Sequence, residues 1–515
     1  MRWLVSGFTQ EHAKRMNWPL KCRKPATRGP CPVVVVFRTI PVTVSSHLLE
    51  ESSMRLRQSL VAALLTMTAA FPSWAATYYV APKDAKISAN ADGSKGNPWA
   101  DPLTALKKAK AGDTILLMDG DYGQLIVSKR SFTSPVTVRS LNGKKARLER
   151  ISVEDGSRNI IFQNLSVWAS DPMTSKANRI QTTGPSVTDI VFDSLDIRSG
   201  KDALSYPTWT KDKWKARFGM KGFQSKGTRI TMKNSTITAM GFAVVLFGPE
   251  TKFINNTVQG FKGDGMRVLG NNSVIRGNRI TDCVRVDNNH MDGIQSWSQD
   301  GKPVDGLVIE DNTIIEWSNP VRTFKYCPLQ GIGFFDGFYD NLVIRNNVIA
   351  ITAYHGISVY GARKAQIVNN TVVNSKGVAA GYPWIAVNNH KNGTPSSDVV
   401  TSNNLAMKFT GVSNEKSKRT ATANSVILYP AKVLQDVTKF NYRPKADSGF
   451  IDTGDAAYAP KTDIVNNKRP SGKAPDRGAY EANSTPAPSA DPSATTDAAA
   501  PPASSNTAGK WLVAP

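Results

Sequence analysis

The sequence predicts an all-β solenoid, with a capping helix at its front and a disordered tail behind, on three observations. Six near-copies of one short phrase run from Phe253 to Met407, namely FINNTV, IRGNRI, IEDNTI, IRNNVI, IVNNTV and TSNNLA. They place Asn256, Asn278, Asn312, Asn347, Asn370 and Asn404 in the same slot. The spacings between those asparagines are 22, 34, 35, 23 and 34 residues, and a unit that short buries its apolar face only by stacking on its neighbours. Each phrase also alternates apolar and polar residues with the period of two that marks a strand. Finally, from Asn483 to about Ala508 the chain is almost entirely Ala, Pro, Ser and Thr with a few Asp, which is too poor in apolar surface to hold a fold.

Taken in order, residues 1–53 carry no convincing pattern and read as a leader outside the translated protein. Met54 then opens Arg55-Leu56-Arg57, an apolar run from Leu60 to Ala70, and Ser73-Trp74-Ala75. A basic start, a short apolar stretch and a small-residue cleavage site make residues 54–75 a secretory signal. The solenoid domain is expected over 76–482. It opens on TYYVAP as a strand, a short amphipathic helix around Leu103 to Ala109, and a strand from Thr114 to Met118. The helix caps the open end of the stack, whose first coil otherwise exposes its core. Degenerate coil phrases follow in IFQNLSV, FDSLDI and MKNSTI before the regular ones begin. Asparagines at one turn of successive coils bond side chain to side chain and to backbone, so that column reads as structural. Residues 483–515 form the tail, whose last seven residues, Gly509 to Pro515, read as a frayed end rather than a docking peptide.

Composition narrows the partner. The formal charge is +23; residues 1–76 hold ten basic and three acidic residues, which leaves 54 against 38, or +16. Such a surplus on an exported protein favours an anionic polysaccharide or an envelope surface over nucleic acid. No apolar run of spanning length follows the signal, so the product is expected secreted or periplasmic, as a monomer. Cys22 and Cys31 fall in the leader, and Cys283 with Cys327 remain, free to pair or not in an oxidising compartment.

A second column lies out of phase with the asparagines: Asp264-Gly-Met-Arg267, Asp292-Gly-Ile-Gln295, Gln330-Gly-Ile-Gly333 and His355-Gly-Ile-Ser358. With Met266, Ile294, Ile332 and Ile357 inward, period two turns Arg267, Gln295, Gly333 and Ser358 outward, and puts the leading residue of each phrase at the preceding turn. Coils about 4.8 Å apart would set Asp264 beside Asp292. Two such carboxylates share a proton, bind a cation, or are neutralised by a neighbour such as Arg267. The longest insertions fall in this stretch and mark a binding face. They carry Arg285, His290, Trp297, Arg322, Lys325, Tyr326, Trp384, His390 and Lys391, cations and flat rings suited to uronate carboxylates and sugar faces. An earlier insertion, Lys201 to Lys226, adds Tyr206, Trp209, Trp214, Phe218 and Phe223 and would form one wall of a groove.

At the front, NPW followed by ALKKAKAGDTI and DGDY, and at the end Phe450-Ile451-Asp452-Thr453-Gly454 with Arg469-Pro470 through Asp476-Arg477-Gly478-Ala479-Tyr480-Glu481, resemble the entry and closing segments of the pectin-lyase-like superfamily. The resemblance covers about residues 77 to 481 and implies a single-stranded right-handed parallel β-helix. It also implies an enzyme that cleaves or epimerises acidic polysaccharides. Lyases among such enzymes abstract the proton α to a uronate carboxylate, which needs a neutralising cation or Arg, a base, and an acid for the leaving oxygen. On that implication Asp264 and Asp292 are candidate ligands of a cation such as Ca2+, Arg267 the neutraliser, and His290 or Lys325 the base. His355 joins the catalytic candidates through the likeness of Asn289-His290-Met291-Asp292-Gly293 and His355-Gly356-Ile357-Ser358 to polygalacturonase-type glycosidases. The paired aspartates of those enzymes have no counterpart, since the matching coil offers Gln330-Gly331. β-Elimination is the leading expectation, with hydrolysis, uronate epimerisation and polysaccharide binding without catalysis as its alternatives.

Overall fold

A computed structural model of the chain describes residues 75–171, 177–217, 220–322 and 327–482. The leader, all but the last residue of the signal segment and the tail lie outside the described residues. Three parallel sheets of 15, 12 and 11 strands run the length of the solenoid, designated A, B and C. Each full coil gives one strand to each. In the coil around Asn312, sheet A receives Val308–Glu310, sheet B Thr313–Ile315 and sheet C Gln330–Asp336. One continuous core runs from Val80 to Ala406, and Met266, Ile294, Ile332 and Ile357 stack in it at 0% exposure, as the alternation predicts.

Asparagine builds the corner from sheet A to sheet B. Asn312 donates from Nδ2 to the carbonyl of Ile275 at 2.9 Å and to Asn347 Oδ1 at 3.0 Å, while its Oδ1 accepts from the Asn278 backbone N–H at 3.0 Å. The same pattern links Asn256 through Asn404, and continues onto Asn424. The residue before each asparagine is left-handed, as at Asn255 (φ 55°), Asp311 (φ 59°) and Asn346 (φ 54°), a conformation that Asn and Asp tolerate better than other side chains. That requirement explains the paired Asn-Asn of the repeat.

Capping follows expectation. The helix spans Pro102–Lys108, with Asp101 accepting from the Thr104 N–H at 2.8 Å and Ala105 and Leu106 buried over the first coils. At the other end the chain doubles back. Leu434, Val437, Tyr442, Ile464, Ala479 and Tyr480 pack against Ile315, Val348, Ala350, Val373 and Leu405, which covers the outer face of sheet B. The fold of that segment is pinned by Arg469 and Glu481, a pair at 2.9 Å with both side chains fully buried.

Sheet C is treated differently. The insertions 201–220, 284–291, 316–329 and 375–383 all fall at the corner entering it, and 298–303 and 389–396 at the corner leaving it. Tyr206, Trp209 and Trp214 are at most 3% exposed and form a small core with Val284, Val286 and Trp317. The described rings of the 201–226 insertion are therefore interior to it. They hold the wall together, Phe223 belongs to the solenoid core, and Phe218 lies outside the described residues. Cys283 and Cys327 are joined in a buried disulfide that ties the feet of two neighbouring insertions.

Candidate active site on sheet C

The turn entering sheet C carries one residue per coil. Strand register brings Lys221 beside Phe242, Asp292 beside Gln330, His355 beside Trp384, and Trp384 beside Lys408. Asp264 neighbours Asp292 as the sequence predicts, since the Asp292 N–H donates to Asp264 Oδ1 at 3.0 Å and the Gly265 N–H donates to the Asp292 carbonyl at 2.9 Å. The glycine that follows in this column is dictated by space. A Cβ on Gly293 would stand 2.7 Å from Ile314 Cγ2 and 2.8 Å from the Gly331 carbonyl oxygen, so only glycine closes the corner.

Asp264, Arg267, His290 and Asp292 come together. Arg267 donates from Nε to Asp264 Oδ2 at 2.6 Å and lies over the rings of Phe242 and Trp297. His290 Nδ1 is 3.1 Å from Asp292 Oδ2, and the imidazole is 58% exposed whereas the carboxylate is fully buried. Asp292 Oδ1 is buried without a hydrogen-bond partner, as is Gln330 Oε1. Burial dominates the Asp292 carboxyl and pushes it up to about 6, and it raises Asp264 as well despite Arg267. The hydrogen bond to Asp292 raises the His290 imidazole above its ordinary value. Two acids held above the ordinary carboxylate range beside an imidazole with raised proton affinity are suited to proton transfer. A cavity of about 370 Å³ opens beside them, lined by Phe242, Lys262, Gly263, Asp287, Asn288 and Asn289. Burial lowers the Lys262 ammonium there.

The donor set does not suit the expected calcium ion. Both oxygens of Asp264 already accept from protein, one of them from a guanidinium, whereas calcium draws six to eight oxygen ligands. Among the described residues no cluster of three or more His, Cys, Asp or Glu is arranged to hold a metal ion. Asp264 and Asp292 are thus reassigned from cation ligands to a carboxylate neutralised by Arg267 and a buried acid.

His355, a catalytic candidate by its motif, stands two coils beyond Asp292 in the same column. Trp384 Nε1 donates to Ser358 Oγ at 3.0 Å, and the same hydroxyl lies 2.8 Å from His355 Nδ1. Burial holds the imidazole down to about 4, so the ring is neutral near pH 7.

Of the expected substrate contacts, Trp297 and Trp384 lie on the open face. Arg285 is turned toward the Asp287 carbonyl at 3.1 Å, and Arg322 is held by Glu316 at 3.3 Å and by the Trp317 ring. His390 stacks on Phe338 with ring centres 4.3 Å apart, and Lys391 pairs with Asp336, both at the corner leaving sheet C. Lys325 and Tyr326 lie outside the described residues. Sequence reasoning missed Lys221, Phe242 and Lys262. The phrases Lys221-Gly-Phe-Gln224 and Phe242-Ala-Val-Val245, set under Asp264-Gly-Met-Arg267, carry the signal that would have found the first two.

Residues 221–404, which span this column from end to end, match the family described as right handed beta helix region. The chain is a right-handed parallel β-helix. Solved structures similar to this β-helix include the pectate lyase Pel9A, at 16% identity over 79% of this chain and 96% of that one, with a TM-score of 0.39. The Dettilon tailspike protein gp208 is similar at 16% identity over 67% and 68%, TM-score 0.41. The A-module of the Azotobacter vinelandii mannuronan C-5 epimerase AlgE6 is similar at 14% identity over 63% and 93%, TM-score 0.41. No curated protein matches the sequence. Among the described residues no helix is long and apolar enough to cross a membrane.

Proposed function

We propose that this β-helix is an exported carbohydrate-active enzyme that binds an acidic polysaccharide along sheet C and cleaves it by β-elimination. The observation that carries the proposal is the meeting of His290, Asp292, Asp264 and Arg267 on a sheet face flanked by insertions. Export rests on residues 54–75 and agrees with the Cys283–Cys327 disulfide, which an oxidising compartment favours.

Each group then has a task. Asp264 holds Arg267 at Nε, so its outer nitrogens are left to take a uronate carboxylate and drain charge from the adjacent carbon. With Nδ1–H on Asp292 Oδ2, the exposed imidazole of His290 presents its Nε2 lone pair as base. Nε2 takes the proton α to the carboxylate, the released electron pair forms the C4–C5 double bond, and the C4–O bond breaks. The leaving oxygen takes the proton back from Nε2. Asp292, ionised above about pH 6, stabilises the imidazolium in between.

A second reading is hydrolysis, favoured by one observation: a buried carboxyl raised to about 6 is what a glycosidase general acid requires. Incubating the protein with a panel of uronate polymers, and following unsaturated-uronate absorbance together with reducing ends, separates the readings. A rise in both supports elimination, and reducing ends alone replace it with hydrolysis. Altered uronate composition without scission identifies an epimerase, and binding without any product a polymer-binding module.

A further inference from the structure

Beyond Asp292 the face of sheet C changes character. Phe335, Tyr354, His355 and Trp384 form one partly exposed cluster. The ring centre of His355 lies 5.0 Å from that of Phe335, 4.3 Å from Tyr354 and 5.1 Å from Trp384, and Tyr354 lies 4.8 Å from Trp384. Tyr354 is 51% exposed and is the most open ring of the cluster. The cluster is joined to the acidic one at a single backbone position. A Cβ at Gly333 would stand 2.5 Å from Asp292 Oδ1 and 2.7 Å from Phe335 Cε2, so the carboxylate and the ring converge over the same glycine. On the other side of Asp292 the column and its cavity present Arg267 and Lys262 instead.

We infer that the Phe335–Tyr354–His355–Trp384 cluster is a subsite for an uncharged sugar residue, so the natural substrate is a heteropolysaccharide carrying neutral as well as acidic residues. Flat rings stack on the apolar faces of sugars and gain nothing from a carboxylate. His355 supports the same choice. Its Nδ1 is occupied by Ser358 and its burial keeps the ring neutral, fit to bond a sugar hydroxyl, whereas a binding site for a further uronate would keep the imidazole charged. Of the cations nearby, Lys391 is paired with Asp336, and Lys408 lies over the far ring of the cluster, Trp384. A polymer lying along the column would set its acidic residue at Arg267 and a neutral one about two coils, or roughly 10 Å, beyond Asp292.

This inference deepens the proposed activity, and its test is independent of turnover. Tryptophan fluorescence of the full chain is titrated with neutral pentasaccharides of the cello-, xylo-, manno- and galacto- series, and with homo-oligouronate pentamers. Expected is binding of at least one neutral series, weakened about tenfold by Tyr354→Ala and unchanged by Arg267→Ala. Oligouronate binding should show the reverse pattern. Tyr354 is chosen because its side chain meets the cluster through ring contacts, while its carbonyl, which accepts from the Trp384 N–H at 2.9 Å, is kept in every variant; Tyr354→Phe should restore binding. Failure of every neutral series to bind, or equal loss of oligouronate binding in Tyr354→Ala, overturns the inference even if polymer cleavage is observed. Neutral binding with the expected variant pattern sustains it even if no elimination is found.

Discussion

Two columns of side chains climb the same solenoid, and they obey opposite rules. At the corner between sheets A and B each coil from Asn256 to Asn404 carries asparagine in one slot, and the side-chain amide there bonds to the coils before and after it. At the corner entering sheet C the residues differ from coil to coil, Lys221, Phe242, Asp264, Asp292, Gln330, His355 and Trp384. There two buried oxygens, on Asp292 and Gln330, are left without partners. A repeating lattice tolerates one identical polar group per rung because each rung supplies the next rung's partner. Breaking that identity leaves polar atoms unsatisfied and carboxyl affinities shifted, a condition that persists where it serves chemistry. Uniformity in one column and its loss in the other therefore separate scaffold from site.

Four variants break or sharpen this contrast. The largest effect is expected for His290→Ala, which removes the base and should lower kcat/KM on the cleaved polymer by about 10²- to 10⁴-fold with the unfolding temperature nearly unchanged. An unaltered rate would return His290 to a turn residue. Asn312→Ala should do the opposite, sparing the site's chemistry while stranding the Asn278 backbone N–H and the Ile275 carbonyl in the core. The expected loss is about 3 kcal/mol in denaturant unfolding. Replacing both Cys283 and Cys327 by serine opens a loop with a sequence separation of 44 residues, and about 2–4 kcal/mol of stability should go with it.

The subtlest comparison is Asp292→Asn. In the folded protein this carboxyl is raised from 3.8 to about 6, so the folded state binds its proton more tightly than the unfolded chain does. Its contribution is most favourable below pH 4 and is lost as pH rises to about 6. The asparagine variant should match the parent's stability near pH 4 and exceed it, by on the order of 2 kcal/mol, above pH 6. Equal pH profiles of the two proteins would show that Asp292 is not held up. Loss of the carboxylate should also shift the alkaline-rising limb of kcat/KM to lower pH, because the imidazolium of His290 loses the group that raises it.

How much of this was legible in the sequence follows from the same contrast. The asparagine column announces itself because its spacing is tied to coil length. Ile294 and its relatives were placed inward correctly because a two-residue period leaves no other choice. Asp264 was set beside Asp292 for that reason too. What the sequence hid was direction within an insertion. Trp209 and Trp214 look like sugar platforms until their burial is known, and Arg322 looks free until Glu316 is beside it. Nor does a one-dimensional pattern tell that His355 is buried enough to stay neutral, or that Ser358 and Trp384 fix its place, since that network joins residues from two coils.

The returning segment has a consequence for the order in which the protein assembles. Asn346 donates to the Thr462 carbonyl, Asn369 to those of Asp476 and Gly478, and Asn403 to that of Asp455, across 52 to 116 residues of chain. Coils pair with their immediate successors and are ready as soon as each successor exists, whereas these amides wait for the last stretch of the domain to arrive. Maturation is thereby divided into a zippering phase that tracks chain length and a latch that closes at the end. Shortened chains lacking residues beyond about 450 should reach the first phase and stop there, with the outer face of sheet B missing the cover of Ile464, Ala479 and Tyr480.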